Sequence, residues 1–566
     1  MLQKIKNIIP FLFNPKIEET APVPFLTYVS GVMIILFCGI RLFFGLENKM
    51  DIQFADEAAY IRFGLDLYGK LNRDWGPLYA IWYKLLSYIT TDTVALYYLN
   101  YKITGIAISV LLYVFLLRIR THTLLALLVS YCILISVTNV SVWPRISNFS
   151  IIFCLSALLI ITAVKQNIYR FTIFTVTSLL CSYARPEFYI SFMLTAVSTI
   201  ICVFIIRKNL TKRNIALLFV ALLIIVGLHL FFRFPSNNFF GFNRGVAAFY
   251  QHYAFNYKWR TGAQIDAWLY WEEICKKTFG DCNSMWCVIK TQPTIFISNT
   301  LFNIKNYIML SLVSMVSYFL PIDFITALPI KFSYIKKLQQ LSLLFFISAL
   351  LFLLIKKQFR FQFIKHLSKS RFYALVLAFF IFPSILSCVF VFPRQHYILL
   401  QMLFLVVVIV SILNDSFEKI NFKQLYFLPF GVALFFMTPN IKSYTFLKVN
   451  TSVNNLCNKE LTTYLIKNYA DNNHTIFTNM PFVRGMLPTN FREVNTIFDK
   501  KKNKPFTHYL DSANIDLVIV NPTLLRDPHV MSDSTWLDFY QHAEKYHFKK
   551  VEYNSCETYL LVKTTE

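Results

Sequence analysis

The chain has 566 residues, 56% of them hydrophobic and 17% aromatic, with a mean hydropathy of +0.50. These values exclude a single water-soluble core: soluble domains carry about 45–50% apolar residues, whereas here they fall in unbroken blocks long enough to cross roughly 30 Å of hydrocarbon. The formal charge of +25 would suit a nucleic-acid binder, but the basic residues sit mostly in short linkers between apolar blocks, where they set topology.

The basic opening, MLQKIKNIIPFLFNPKIEETAPVP, precedes Phe25–Leu46. That block is too long for a signal-peptide core and lacks a small-residue cleavage site, so it reads as a retained first span with the N-terminus inside. Further spans are expected at Leu96–Leu117, Leu124–Val140, Ile146–Val164, Phe171–Tyr183, Phe188–Ile206, Ile215–Phe234, Leu341–Ile355, Phe372–Val391, Tyr397–Leu413 and Leu425–Met437, about eleven in all. On this count the basic linkers at Arg118, Lys165, Arg207, Lys356 and Asn414 all face the cytoplasm. Residues 47–95, residues 235–340 and the tail then lie outside. The apolar Thr300–Ile322 would reverse the later linkers if it crossed once; an interfacial or re-entrant helix, or a pair of short crossings, keeps the parity.

The expected fold is an all-α polytopic membrane protein with interfacial helices in the first outer loop and a small C-terminal α/β soluble domain, divided at residues 1–440 and 441–566. In the second part LTTYLIKNYADNNHTIFTNMPFV predicts a helix, a turn and a strand, NIDLVIVNPTLL a buried strand, WLDFYQHAEKYHF a helix, and KKVEYNS with ETYLLVKT a terminal hairpin. Six of the eleven cysteines fall in apolar blocks as small hydrophobes. Cys457 with Cys556, and two of Cys275, Cys282 and Cys287, either pair in an oxidising compartment or stay free thiols. No cysteine spacing suits a metal.

Three outer turns join an arginine to a proline and aromatics: VWPRISN at Arg145, YARPEFY at Arg185 and VFPRQHY at Arg394. An arginine at the bilayer rim is costly without a counter-charge or water, and snorkelling to lipid headgroups explains any one of them. Three on one side predict an anion site, because a guanidinium fork suits a phosphate. His396 and Tyr397 lie beside the last of them. Ahead of all three, FADEAAYIRFGLDLYGKLNRDWGPLYAIWYKLL places Asp56 and Glu57 at a helix start, where the macrodipole favours them. It then turns at Gly76-Pro77 into an aromatic interfacial helix. A carboxylate beside such a shelf is suited to act as a general base. The long outer loop around His252, Tyr253 and Asp266 reads first as a plain interfacial helix; the alternative is a loop that covers the site, with Asp266 helping to bind an acceptor. The few glycines form no phosphate-cradling motif, which argues against a nucleotide-sugar donor.

The order of first span, DE pair, a Tyr three residues on (Tyr60), interfacial helix and DWGPLY turn resembles the GT-C membrane glycosyltransferases. More narrowly it is similar to the branch of protein O-mannosyltransferases and lipid A aminoarabinose transferases. The resemblance implies transfer of a sugar from a polyprenyl-phosphate carrier to a hydroxyl of a lipid, glycan or protein, at the outer face of a bacterial inner membrane. Asp56 is then the base and Glu57 its helper, with Arg145, Arg185, Arg394 and Lys84 on the donor phosphate. Tyr60, Asp74, Trp75, Tyr79, His396, Tyr397 and Asp266 are acceptor or supporting residues. No cofactor, metal or nucleic acid is required. The sequence departs from the branch in having GPLY where a Lys-Pro-Pro-Leu run is often found, with Lys84 the stand-in. An O-antigen polymerase or ligase usually lacks the acidic pair ahead of an aromatic helix. A flippase would show mid-membrane charge or internal repeats.

Overall fold

A computed structural model of the protein describes residues 23–67, 71, 73, 76–141, 143–164, 166–207, 210–233, 242–265, 267, 270–317, 371–441, 444, 456–480, 482–495, 505–553 and 556–564. The chain is mostly helical. It opens with α1 (Phe25–Phe43), the short α2 (Asp56–Leu65) and α3 (Pro77–Leu86), then α4 (Thr93–Arg118), α5 (Thr123–Ile135), α6 (Ile146–Ala163), α7 (Asn167–Ala184), α8 (Tyr189–Ile206) and α9 (Lys212–Phe232). A helical unit follows in the long loop after α9: α10 (Phe242–Thr261), α11 (Trp271–Phe279), α12 (Met285–Thr291) and α13 (Pro293–Ser317). After α14 (Arg371–Leu386) come a π-helical turn (Ser387–Val391), α15 (Gln395–Ile398), α16 (Gln401–Phe417) and α17 (Phe427–Met437).

Local chemistry starts these helices where the sequence provides acceptors. The Asp92 carboxylate accepts the amides of Val94 and Ala95 at 2.8 and 3.1 Å to open α4, and the Thr211 hydroxyl caps α9. Among the described residues, five helical segments are long and apolar enough to cross a membrane: Phe25–Asn48, Thr93–Arg118, Ile146–Ala163, Pro186–Ile205 and Lys212–Phe232. The last carries exposed Phe219, Leu223, Leu230 and Phe231, a surface that water penalises and lipid does not. Shorter apolar helices cover Thr123–Ile135, Leu375–Val391, Gln401–Phe417 and Gln424–Met437.

Two expected spans are interrupted. Leu124–Val140 ends as a helix at Ile135, because the Asn139 amide turns back to donate to the carbonyls of Gly105 and Leu134. Tyr397–Leu413 divides between α15 and α16. Thr300–Ile322 falls mostly within α13, which begins at Pro293. Leu341–Ile355 lies outside the described residues.

The C-terminal part contains α18 (Cys457–Tyr469), β1 (His474–Thr478), β2 (Phe491–Asn495), α19 (Phe506–Ala513), β3 (Leu517–Val520), α20 (Pro528–Met531), α21 (Ser534–Gln541), β4 (Phe548–Glu552) and β5 (Tyr559–Lys563). The sheet order is β2-β1-β3-β5-β4, with β2, β1 and β3 parallel and β3, β5 and β4 antiparallel. The two-residue period of β3 divides its side chains between faces. Val518 and Val520 join a core with Phe506, Trp536 and Phe539. Leu517 and Ile519 join the large cluster that runs back through Val483 and Met486 to Ile61, Leu96 and Ile35.

That continuity is a docking contact between the sheet domain and the segment that joins α1 to α4. The buried Asp51 carboxylate accepts the amides of Asn458 and Lys459, at 2.8 and 2.9 Å, at the start of α18. Thr93 donates to the Met486 carbonyl at 2.7 Å. Gly485 lies so close to the Ala58 backbone that no Cβ fits there. Disulfides join Cys457 to Cys556 and Cys282 to Cys287, while Cys275 is a buried free thiol.

Candidate active site

Asp56 and Glu57 occupy the first turn of α2, but a helix turns about 100° per residue, so adjacent side chains diverge. Asp56 is exposed. Glu57 is 3% exposed, and its Oε1 accepts Tyr79 Oη at 2.6 Å, Asn100 Nδ2 at 3.1 Å and the Tyr83 hydroxyl. Trp82 Nε1 holds the same asparagine through Oδ1 at 2.8 Å. Burial pushes the Glu57 carboxyl up to about 8; the Tyr79 and Tyr83 hydroxyls oppose the shift and the neighbouring Asp56 charge adds to it. This centre ties α2, α3 and α4 together. Glu57 and Tyr79 therefore sit in a buried hydrogen-bond network instead of beside Asp56.

The three arginines lie far apart in sequence, each at a helix boundary next to a proline: Arg145 before α6, Arg185 after α7 and Arg394 before α15. Proline and the extended backbone at these positions end or delay the helices. They converge on His396. Its imidazole is held neutral, well below the ordinary histidine value, first by burial and then by the positive charges of Arg185, Arg394 and Arg145, with His252 adding to them. Arg185 donates from Nη2 and Nε to Glu187 Oε1 at 2.6 and 2.7 Å and stacks 4.7 Å over the Tyr397 ring. Burial opposes its charge, but Glu187, Tyr397 and Tyr60 outweigh that and raise its proton affinity. The Arg145 guanidinium lies 5.3 Å from the Trp143 ring.

The Gly76-Pro77 turn connects the acidic helix to this cluster. Gly76 has φ +52°, a left-handed conformation that glycine alone adopts without strain. A Cβ there would meet the Ala184 carbonyl and Ile146 Cδ1 at 2.9 Å and Tyr60 Cε1 at 3.1 Å. The turn is thus wedged between the residues that adjoin Arg185 and Arg145. Tyr60, one helical turn beyond Asp56, packs edge-on against Tyr79 at 5.1 Å.

Of the candidate residues, Arg145, Arg185, Arg394, His396, Tyr397 and Tyr60 come together. Lys84 lies in the last turn of α3, eight residues beyond Gly76, with its ammonium 5.8 Å from the centroid of the Tyr88 ring. Asp74, Trp75 and Asp266 lie outside the described residues. Sequence reasoning missed Glu187, although Arg-Pro-Glu is legible in YARPEFY. It also missed Asn100 and Tyr83, for which an amide inside a span was the available signal. Among the described residues, no group of His, Cys, Asp and Glu is arranged to hold a metal ion.

Fold and site together define a largely helical protein with apolar helices compatible with membrane insertion, a C-terminal mixed sheet and a cationic centre. No protein-family model and no curated protein sequence matches the chain.

Proposed function

We propose that the chain is an integral membrane glycosyltransferase. It transfers a sugar from a polyprenyl-phosphate donor to a hydroxyl acceptor on the extracytoplasmic face, with inversion. The observation that carries this reading is the convergence of Arg145, Arg185 and Arg394 around His396, next to the turn that adjoins the helix bearing Asp56. Asp56 takes the proton of the acceptor hydroxyl as its oxygen attacks the anomeric carbon; the bond from that carbon to the phosphate oxygen breaks, and the lipid phosphate leaves as an anion held by the guanidinium groups. A phosphate leaving group needs cationic donors more than a general acid. A glycosidase needs two carboxylates facing one bond, and Asp56 and Glu57 point apart. Glu57 is a positioning residue in this scheme.

The eleven-span topology with a cytoplasmic N-terminus belongs to the same proposal. Both disulfides occur in segments that this topology puts outside, which supports an oxidising extracytoplasmic side. The sugar donor is a substrate, and no cofactor is invoked. The test is to replace Arg145, Arg185 and Arg394 singly by Gln in the producing cell and compare envelope glycans by mass spectrometry with wild type and a deletion. Loss of one and the same modification in the deletion and the variants is expected. Variants that keep a modification absent from the deletion would refute the phosphate site.

A further inference from the structure

His252 stands out among the buried polar groups because its environment leaves one atom unanswered. It lies on α10, in the helical unit after α9, and is 4% exposed. Nδ1 is 2.5 Å from the Ala248 carbonyl oxygen, which only accepts, so Nδ1 carries the hydrogen and Nε2 presents a bare lone pair. Nε2 is buried and has no hydrogen-bond partner among the described residues. Burial and then the Arg394 charge hold the ring neutral, its pKa pushed down to about 3.

The ring is held rigidly at the cationic centre. It stacks on Phe392, 5.3 Å between centroids and 26° between planes, two residues before Arg394. One helical turn on, Asn256 Nδ2 donates to Asn299 and Asn303, each at 2.8 Å. Asn303 Nδ2 in turn donates to the Val389 and Val391 carbonyls of the π-helical turn, at 3.1 and 3.2 Å. This buried amide chain fixes α10 and α13 against the segment that carries Arg394.

Leaving an acceptor buried and unpaired costs about 1–3 kcal/mol, and here the charged neighbours are donors suited to an anion. An ionised phosphodiester has no proton to give Nε2. A neutral hydroxyl beside that phosphate does. We propose that His252 Nε2 accepts a hydrogen bond from a ring hydroxyl of the donor sugar, so that this helical unit selects sugars bearing that hydroxyl over their deoxy counterparts. The inference rests on the glycosyltransferase reading and adds to it the chemical feature by which the sugar is recognised.

The test uses the full chain in detergent micelles, a short-chain polyprenyl phosphate, and the same lipid carrying mannose or glucose. His252→Phe keeps a ring against Phe392 and removes Nε2. It is expected to weaken binding of the better sugar lipid roughly tenfold to a hundredfold and to leave binding of the sugar-free lipid unchanged. His252→Gln, which retains an acceptor, should recover part of the loss. The unfolding temperature of His252→Phe should equal or exceed that of wild type, because an unpaired buried acceptor is gone. If wild type binds the sugar-free lipid but His252→Phe weakens both lipids equally, or neither, the role of His252 is overturned while the phosphate site stands. If wild type binds neither lipid, both readings fall.

Discussion

The Glu57 centre and the arginine centre adjoin the same short helix and are built on opposite plans. Around Glu57, one carboxylate oxygen receives three donors from neighbouring elements, so the group is satisfied by the protein itself. Around His396, Arg145, Arg185 and Arg394 arrive from three distant turns with the same sign of charge. Of the three, Arg185 is paired with the Glu187 carboxylate at 2.6 Å, and the phosphate of the proposed donor would meet the guanidinium groups. One centre ties α2, α3 and α4 together, and the other gathers the guanidinium groups that the proposed function assigns to the donor phosphate.

The comparison breaks most readily at Glu57. Glu57→Ala leaves two tyrosine hydroxyls and the Asn100 amide without their shared acceptor, and should lower stability by about 3 kcal/mol, read as a fall in unfolding temperature and loss of folded protein. Glu57→Gln keeps an acceptor oxygen and should fold. Burial lifts this carboxyl from 4.5 to about 8, so the folded chain keeps a proton that the unfolded chain releases. Its contribution to stability is full below about pH 4.5, declines as pH rises to about 8 and is then constant. Glu57→Gln should remove that slope from a thermal-unfolding series.

Gly76→Ala should cost about 1–2 kcal/mol for the left-handed backbone and disturb the contacts with Ala184 and Ile146. Transfer activity should therefore fall more than folded yield, which would tie the turn to the arginine centre. Asp51→Ala removes the acceptor at the start of α18. A loss of about 1 kcal/mol is expected, seen as faster proteolytic release of the C-terminal domain with little change in transfer by the intact chain. Lys84→Ala should change activity least, since that side chain sits at the far end of α3; a loss as large as that of an arginine variant would reinstate it as a phosphate contact.

Much of this was legible in the sequence because the signals were local. Unbroken apolar blocks located the long helices, a buried apolar run in NIDLVIV located β3, and alternation in ETYLLVKT located β5. Phe491–Asn495, the edge strand β2, escaped because FREVN shows no long alternating run; its pairing with β1 supplies the rest. The arginine turns were found by composition, whereas the divergence of Asp56 from Glu57 needed the packing of α3 and α4 to decide which carboxylate is buried. Sequence proximity puts Lys84 near the turn but says nothing about which end of α3 reaches a site. His252 was first read as part of an interfacial helix, since only the fold brings its face to Phe392 and Arg394.

Asp56→Asn in the purified chain tests the central claim most directly, with binding of a polyprenyl-phosphate sugar and its single-turnover transfer measured side by side. The account predicts unchanged binding with transfer slowed about a hundredfold or more. Transfer at the wild-type rate by a folded Asp56→Asn chain would contradict it.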